Sequence, residues 1–197
     1  VIPEIESIVK AANKPLMPAE EYVWNETEVD IMVTNKENND TVKMKNILNF
    51  FKILEVEGLG EGNIKKLMNA GNDSIGKIIG MSKDDYLKVD GFKEKMAEKL
   101  FNGIEKKIKN SSIENIAAAS NIFGKGFGVL TIEKILNNEP DILTSTESNN
   151  AKLKKLTNIE GIGKVTANNF INNINNFKEF LKEGKLLYKL KDKAQQA

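Results

Sequence analysis

From about residue 40 onward, apolar residues in this chain fall in short blocks at helical spacing. Met44, Ile47, Leu48, Phe51 and Leu54 share one face of a helix that Asp40 or Thr41 would cap, with Phe50 and Phe51 in the core. Further helices are predicted over 63–70, 83–88 with Ser82 as cap, 94–108, 112–119, 129–136, 153–156 and 165–175, with a separate short one over 176–182. In the 94–108 helix, Met96, Leu100, Phe101 and Ile104 point inward. Pro140 marks a break before a segment over 141–144, and the residues from Lys189 to the end read as polar and frayed. The first forty residues differ. Residues 1–9 alternate like a strand with Pro3 near an edge or end, and 14–18 read as a linker. Residues 22–24 and 29–33 could pair across 25–28 as a small hairpin cored by Trp24, followed by a polar turn over 35–40.

One stretch recurs between the helical blocks. Its fourth copy runs through Ile159-Glu-Gly-Ile-Gly163 into a segment with apolar residues at Val165, Phe170, Ile171 and Ile174. The first copy has Gly58 and Gly60, the second Gly91 with Lys93 in place of the later glycine, and the third Gly126 and Gly128. The leading glycines are 33, 35 and 35 residues apart, a repeat spacing that a chance series of turns would not keep. Glycines such as Gly161 and Gly163 allow the positive φ that a tight turn between helices needs. Ile162 would plug the gap beneath the turn. With no side chain in the way, the turn amides and the start of the next helix can approach an anion. That describes a helix-hairpin-helix, which can hold a DNA phosphate without reading a base. The glycine pairs could instead serve only to pack helices, and both readings stay open. The candidate DNA-contacting residues are Gly58, Gly60, Asn63, Gly91, Lys93, Lys125, Gly126, Gly128, Gly161, Gly163, Lys164 and Thr166. Because a two-helix unit cannot bury its apolar face alone, the units should stack in pairs. The fold class predicted is mainly α. A tandem helix-hairpin-helix array over 41–190 is preceded by a small β-containing subdomain over 1–40 and followed by a disordered tail over 191–197.

Composition changes the picture mainly by exclusion. The 197 residues, 40% hydrophobic and 29% charged, suit an ordinary soluble protein with a sizeable core. No apolar run reaches membrane-spanning length and no signal-peptide pattern opens the chain, so an intracellular location is expected. The absence of cysteine removes disulfides, thiol catalysis and Cys-ligated zinc, and the absence of histidine removes the commonest metal ligand and general base. A start at Val1 reads as a piece of a longer protein. All 29 basic residues are lysine and asparagine is common, which points to an AT-rich genome. Net charge is only +1, but it is unevenly spread. Residues 1–60 carry 6 lysines against 11 acids, 61–142 carry 13 against 12, and 143–197 carry 10 against 5. A DNA-facing surface would therefore lie toward the C-terminal half. Backbone amides bind phosphate without adding formal charge, so the modest total is no obstacle.

The order of these features resembles the C-terminal half of NAD-dependent DNA ligases. Val1-Ile-Pro3 is similar to the end of that family's OB domain, and Asn49-Phe-Phe51 followed by Glu55-Val-Glu-Gly-Leu-Gly60 is similar to its entry into the tandem hairpin domain. The later hairpins follow in the family's order, so the resemblance covers nearly the whole chain. Two departures stand out. The family's four-cysteine zinc finger has no counterpart in residues 14–40, where the 22–33 hairpin would be a metal-free replacement like that of some large-DNA-virus ligases. No BRCT domain could follow residue 190 in this sequence. The Lys88-Val-Asp-Gly91 sequence matches the motif whose lysine ligases adenylate, yet the repeat register assigns it to the second turn. The Gly124-Lys-Gly-Phe-Gly128 run lacks the strand and βαβ unit of a dinucleotide fingerprint. The resemblance implies a monomeric segment that grips nicked double-stranded DNA without sequence preference, on the minor-groove side, in replication or repair. It implies no catalytic residue and no cofactor here, while the full-length enzyme would use NAD and Mg²⁺ in upstream domains. A non-enzymatic hairpin scaffold of a repair or recombination protein, or a protein–protein module, remains the alternative.

Overall fold

Serine side chains begin four of the nine helices among the described residues, and that detail explains much of the layout. The computed structural model describes residues 17, 21–24, 31–33 and 39–190. The chain divides into two compact units, Val1–Asn39 and Asp40–Ala197.

In the first unit, strands β1 (Tyr22–Trp24) and β2 (Ile31–Val33) pair antiparallel, with Tyr22 opposite Val33 and Trp24 opposite Ile31. Side chains two apart share a strand face, so the rings of Tyr22 and Trp24 meet edge-on at 6.5 Å. Trp24 is not the core residue that was expected, because 47% of it is exposed. A two-stranded ribbon has two open faces and no second layer to take up an indole. The strand expected over 1–9, the turn over 25–28, the tail over 191–197, and most of the 14–18 linker and the 35–40 turn lie outside the described residues.

Among the described residues the second unit has helices as its only regular elements. Its elements are α1 (Asp40–Ile53), α2 (Glu61–Asn69), α3 (Ile75–Gly80), α4 (Lys83–Leu87), α5 (Glu94–Asn110), α6 (Ile113–Ser120), α7 (Val129–Asn138), α8 (Asn149–Thr157) and α9 (Lys164–Glu183). The pairs α1/α2, α4/α5, α6/α7 and α8/α9 are the four hairpins, each closed by one of the repeated turns. Ser82 shows how locally the boundaries are set. Its Oγ accepts the Asp85 amide while the Asp85 carboxylate accepts the Ser82 amide, a reciprocal cap that starts α4. Phe50 and Phe51 are fully buried as expected, and Ala97, Leu100, Ile104 and Ile108 form the inner face of α5. Met96 and Phe101 are only half-buried at its margin.

Three elements depart from expectation. Helix α3 was not foreseen, because Ile75-Gly-Lys-Ile-Ile-Gly80 is short and carries glycine at both ends of its apolar run. Tertiary packing decides it. Helix α3 lies against α9 and α1, and the Tyr86 hydroxyl donates to the Ile78 carbonyl at 2.7 Å. Secondly, α9 runs unbroken for 20 residues where two helices were expected, since Ile174, Phe177, Phe180 and Leu181 keep one buried stripe going. Lastly, Lys189 is buried rather than frayed. Its ammonium donates to the carbonyls of Lys109 and Ser111 at 3.0 and 2.6 Å, satisfying the end of α5.

The α3–α9 contact is close enough to test. A Cβ on Gly80 would stand 2.6 Å from the backbone oxygen of Glu183, so one helix must shift. Gly80→Ala should therefore destabilise the unit by about 1–3 kcal/mol, read as a lower urea midpoint. An unchanged midpoint would mean that α3 is not held where it is described.

Candidate nucleic-acid interface

The four turns share one backbone course. The leading glycine has φ of +86° at Gly58, +75° at Gly91, +96° at Gly126 and +80° at Gly161. This position lies in the left-handed region in all four turns, and Gly124 of the third turn shares it at φ +90°. The expectation that the second glycine needs it as well is corrected. Gly60, Gly128 and Gly163 are helix N-caps in extended backbone, with φ of −78°, −73° and −78°. Lys93 takes the same role at φ −104°, which explains why a lysine is tolerated in the second copy. The apolar residue between the two positions (Leu59, Phe92, Phe127 or Ile162) is buried beneath each turn.

Helix starts then fall into two kinds. Helices α3, α4, α6 and α8 begin at Ser74, Ser82, Ser112 and Ser148, each with its Oγ accepting the third amide of the helix. Helices α2, α5, α7 and α9, which follow the turns, begin at Gly60, Lys93, Gly128 and Gly163 with no side-chain cap. A Cβ on Gly60, Gly128 or Gly163 would meet nothing within 4 Å. The starts of α2, α7 and α9 therefore have open space at their N-caps, at the positive end of a helix dipole.

The hairpins interlock two by two. A Cβ on Gly58 would lie 3.1 Å from Cδ2 of Leu100 in α5, and one on Gly91 would lie 2.9 Å from Nζ of Lys66 in α2. The second pair repeats this. Phe123, at the base of the third turn, stacks on Phe170 of α9 at 4.5 Å, and a Cβ on Gly161 would lie 3.6 Å from Nζ of Lys134 in α7. Lys66 and Lys134 both stand eight residues after their own turn glycine. That spacing was visible in the sequence, but which foreign turn they reach was not.

The candidate residues take different places. Lys93, Lys125 and Lys164 are exposed at or beside their turns, as are Gly60, Gly91, Gly126, Gly128, Gly161 and Gly163. Gly58 is half-buried under Leu100. The Asn63 Nδ2 donates to the Gly58 carbonyl at 2.8 Å and so closes the first turn from inside. Thr166 is half-buried in the first turn of α9. Val165, expected among the apolar stripe, points out and is 75% exposed, because it precedes the buried Ala167 by two residues on the helix.

Lys88 is the C-cap of α4, and its exposed ammonium pairs with Asp85 at 2.8 Å. That hydrogen bond pushes the lysine pKa up, away from the depressed value that a nucleophilic amine needs. Lys88 with Ser82 in turn holds the Asp85 carboxyl well below the usual range.

Comparison with known proteins agrees with this geometry. Residues 50–107 match the SAM-like helix-hairpin-helix tandem family. Over 184 residues the chain is 40% identical to a DNA ligase of Acanthamoeba polyphaga mimivirus, covering 92% of this chain and 29% of that protein. A DNA ligase of Clostridium tetani is 32% identical over 66% of this chain and 20% of its own length, and a putative DNA ligase of Invertebrate iridescent virus 3 is 29% identical over 73% and 19%. The chain thus spans less than a third of the relatives it matches. Among the described residues no helix is long and apolar enough to cross a membrane. Residues 50–107 match a SAM-like helix-hairpin-helix tandem, and nearly the whole chain is similar to a segment of the mimivirus DNA ligase.

Proposed function

We propose that this chain is the C-terminal DNA-gripping part of an NAD-dependent ligase, binding nicked duplex DNA through phosphates and without sequence preference. One observation carries the reading. Of the helices α2 to α9, those lacking a side-chain cap are the four that follow a repeated turn, and the other four each have a serine in place. A serine Oγ sits where an anion would sit. Leaving that place open four times at one point of a repeat suits an outside acceptor, and phosphate is the acceptor a duplex offers.

The chain would act as a monomer inside cells or virus-infected cells, in replication or repair. Lysine adenylation, transfer of AMP to the 5′-phosphate and sealing would belong to domains outside this sequence, which would use NAD and Mg²⁺. The part played by these residues is to hold the duplex backbone and keep the enzyme closed around it.

The experiment is a binding comparison on the 197-residue chain, using nicked duplex, continuous duplex and single strand of equal length. Affinity should rank in that order, should not change with base sequence, and should fall as salt rises because released counterions oppose binding. A chain that binds none of the three at low salt is not a DNA-gripping module.

A further inference from the structure

An open cleft of about 590 Å³ runs between the end of α5, the α3–α4 junction and the segment after α9. One side is the stripe Phe101, Ile104 and Ile108 of α5, and Tyr86, Leu186 and Tyr188 line it from the others. None of the described residues lining it belongs to the four repeated turns. The α5 stripe spans seven residues, about 10 Å along the helix axis. That matches two turns of a second helix laid alongside. The volume falls within the range of about 300–1,000 Å³ typical of binding pockets.

Hydrogen bonds hold this cleft in shape. The Tyr86 hydroxyl donates to the Ile78 carbonyl and Lys185 Nζ to the Gly80 carbonyl, both at 2.7 Å. Lys189 fastens the outer segment to the end of α5 through the carbonyls of Lys109 and Ser111. Lys185 itself sits at φ +59°, just past the α9 C-cap, where glycine is the usual residue. Beside it Tyr188 remains 44% exposed, with the Lys189 ammonium over its ring at 5.6 Å. These bonds fix the walls independently of any occupant, as a preformed site requires.

Chemistry narrows what the cleft can take. Three polar side chains on its walls already have partners inside the protein: Ser82 with Asp85, Tyr86 with Ile78, and Lys185 with Gly80. Few groups are left to orient a small polar ligand, and a stripe of Phe and Ile offers nothing to a phosphate. The charges on the lining are Lys109 and Lys185 against Glu105. In sequence, the stretch 182–193 carries five lysines against two acids. We propose that the cleft docks an amphipathic helix of a partner protein. Such a helix would carry aliphatic or aromatic anchors at i, i+3 or i+4, and i+7, with carboxylates beside them to meet the lysines. Docking there does not depend on duplex binding.

The test uses the 197-residue chain and a labelled amphipathic peptide of about four helical turns, with leucine and phenylalanine anchors at that spacing and glutamates on the flanks. Two controls replace its anchors by serine or its glutamates by lysine. The parent peptide alone should bind, and it should move the amides of 101–109 and 184–188. Tyr188→Ala should weaken that binding about tenfold, and Lys109→Glu about fivefold. Both are exposed positions, and urea midpoints check that the variants fold. If the serine peptide binds as well as the parent peptide, the attraction is charge alone and the cleft is not a docking site. No binding of the parent peptide, or equal binding by both variants, overturns the proposal too. Displacement of the peptide by nicked duplex would put the cleft in the DNA-facing surface instead. Self-association of the chain that Tyr188→Ala abolishes would make the occupant a second copy. Duplex binding is read in its own assay and stands or falls separately.

Discussion

Phe170→Ala is expected to cost about 3–5 kcal/mol, much of the 5–15 kcal/mol that a domain of this size has. Phe170 is fully buried in α9. Its ring stacks on Phe123 at 4.5 Å with 12° between planes and lies 5.9 Å from Phe127 of the third turn. Phe123 in turn touches Phe177 at 5.2 Å. Removing one ring leaves a cavity lined by aromatics that belong to two hairpins, and rigid rings on a helix and a glycine turn cannot collapse into it. The third turn should loosen along with global stability. Urea unfolding would show a lower midpoint. Amide exchange at 124–128 would rise by more than at 58–60, in the other pair. A midpoint within experimental error of the parent would mean the third turn does not dock on α9.

Gly161 and Gly163 should respond in opposite ways to the same substitution. At Gly161, φ is +80°, a region that a β-branched residue rarely enters. Valine there should cost about 2 kcal/mol of stability and should crowd Lys134. At Gly163, φ is −78° and a Cβ would meet nothing within 4 Å. Gly163→Val should fold like the parent, yet its isopropyl group would stand over the open amides of α9. On the phosphate reading that loses a charge-assisted contact, about 1.5–3 kcal/mol of duplex affinity. Urea midpoints and nicked-duplex affinities of the two variants separate the effects. A folded Gly163→Val that binds like the parent would leave the fourth turn as a packing device.

Local chemistry explains which parts of this fold could be read from residues alone. Turn glycines at 33- and 35-residue spacing, the Ser82–Asp85 cap and the apolar stripe of α1 each act within a few residues, so their signals are contiguous. Helix α3 was hidden because its stability comes from α9 and α1, about 30 to 100 residues away in sequence. The role of the second glycine was misread for a related reason. Glycine at an N-cap and glycine at positive φ look the same in a sequence, and only Lys93 in the second copy hinted at the difference. Trp24 is large enough to core a hairpin, but residue type does not say whether a layer exists to bury it. Lys134 was overlooked because its surroundings at Gly161 are set by how two hairpins pair.

The most direct measurement is backbone amide NMR of the chain titrated with nicked duplex. Phosphate held by uncapped helix starts should move the amides of 61–63, 94–96, 129–131 and 164–166. The serine-capped starts at 75–77, 83–85, 113–115 and 149–151 should stay where they are. Changes spread evenly over both kinds of helix start, or concentrated at the serine-capped ones, would contradict the account.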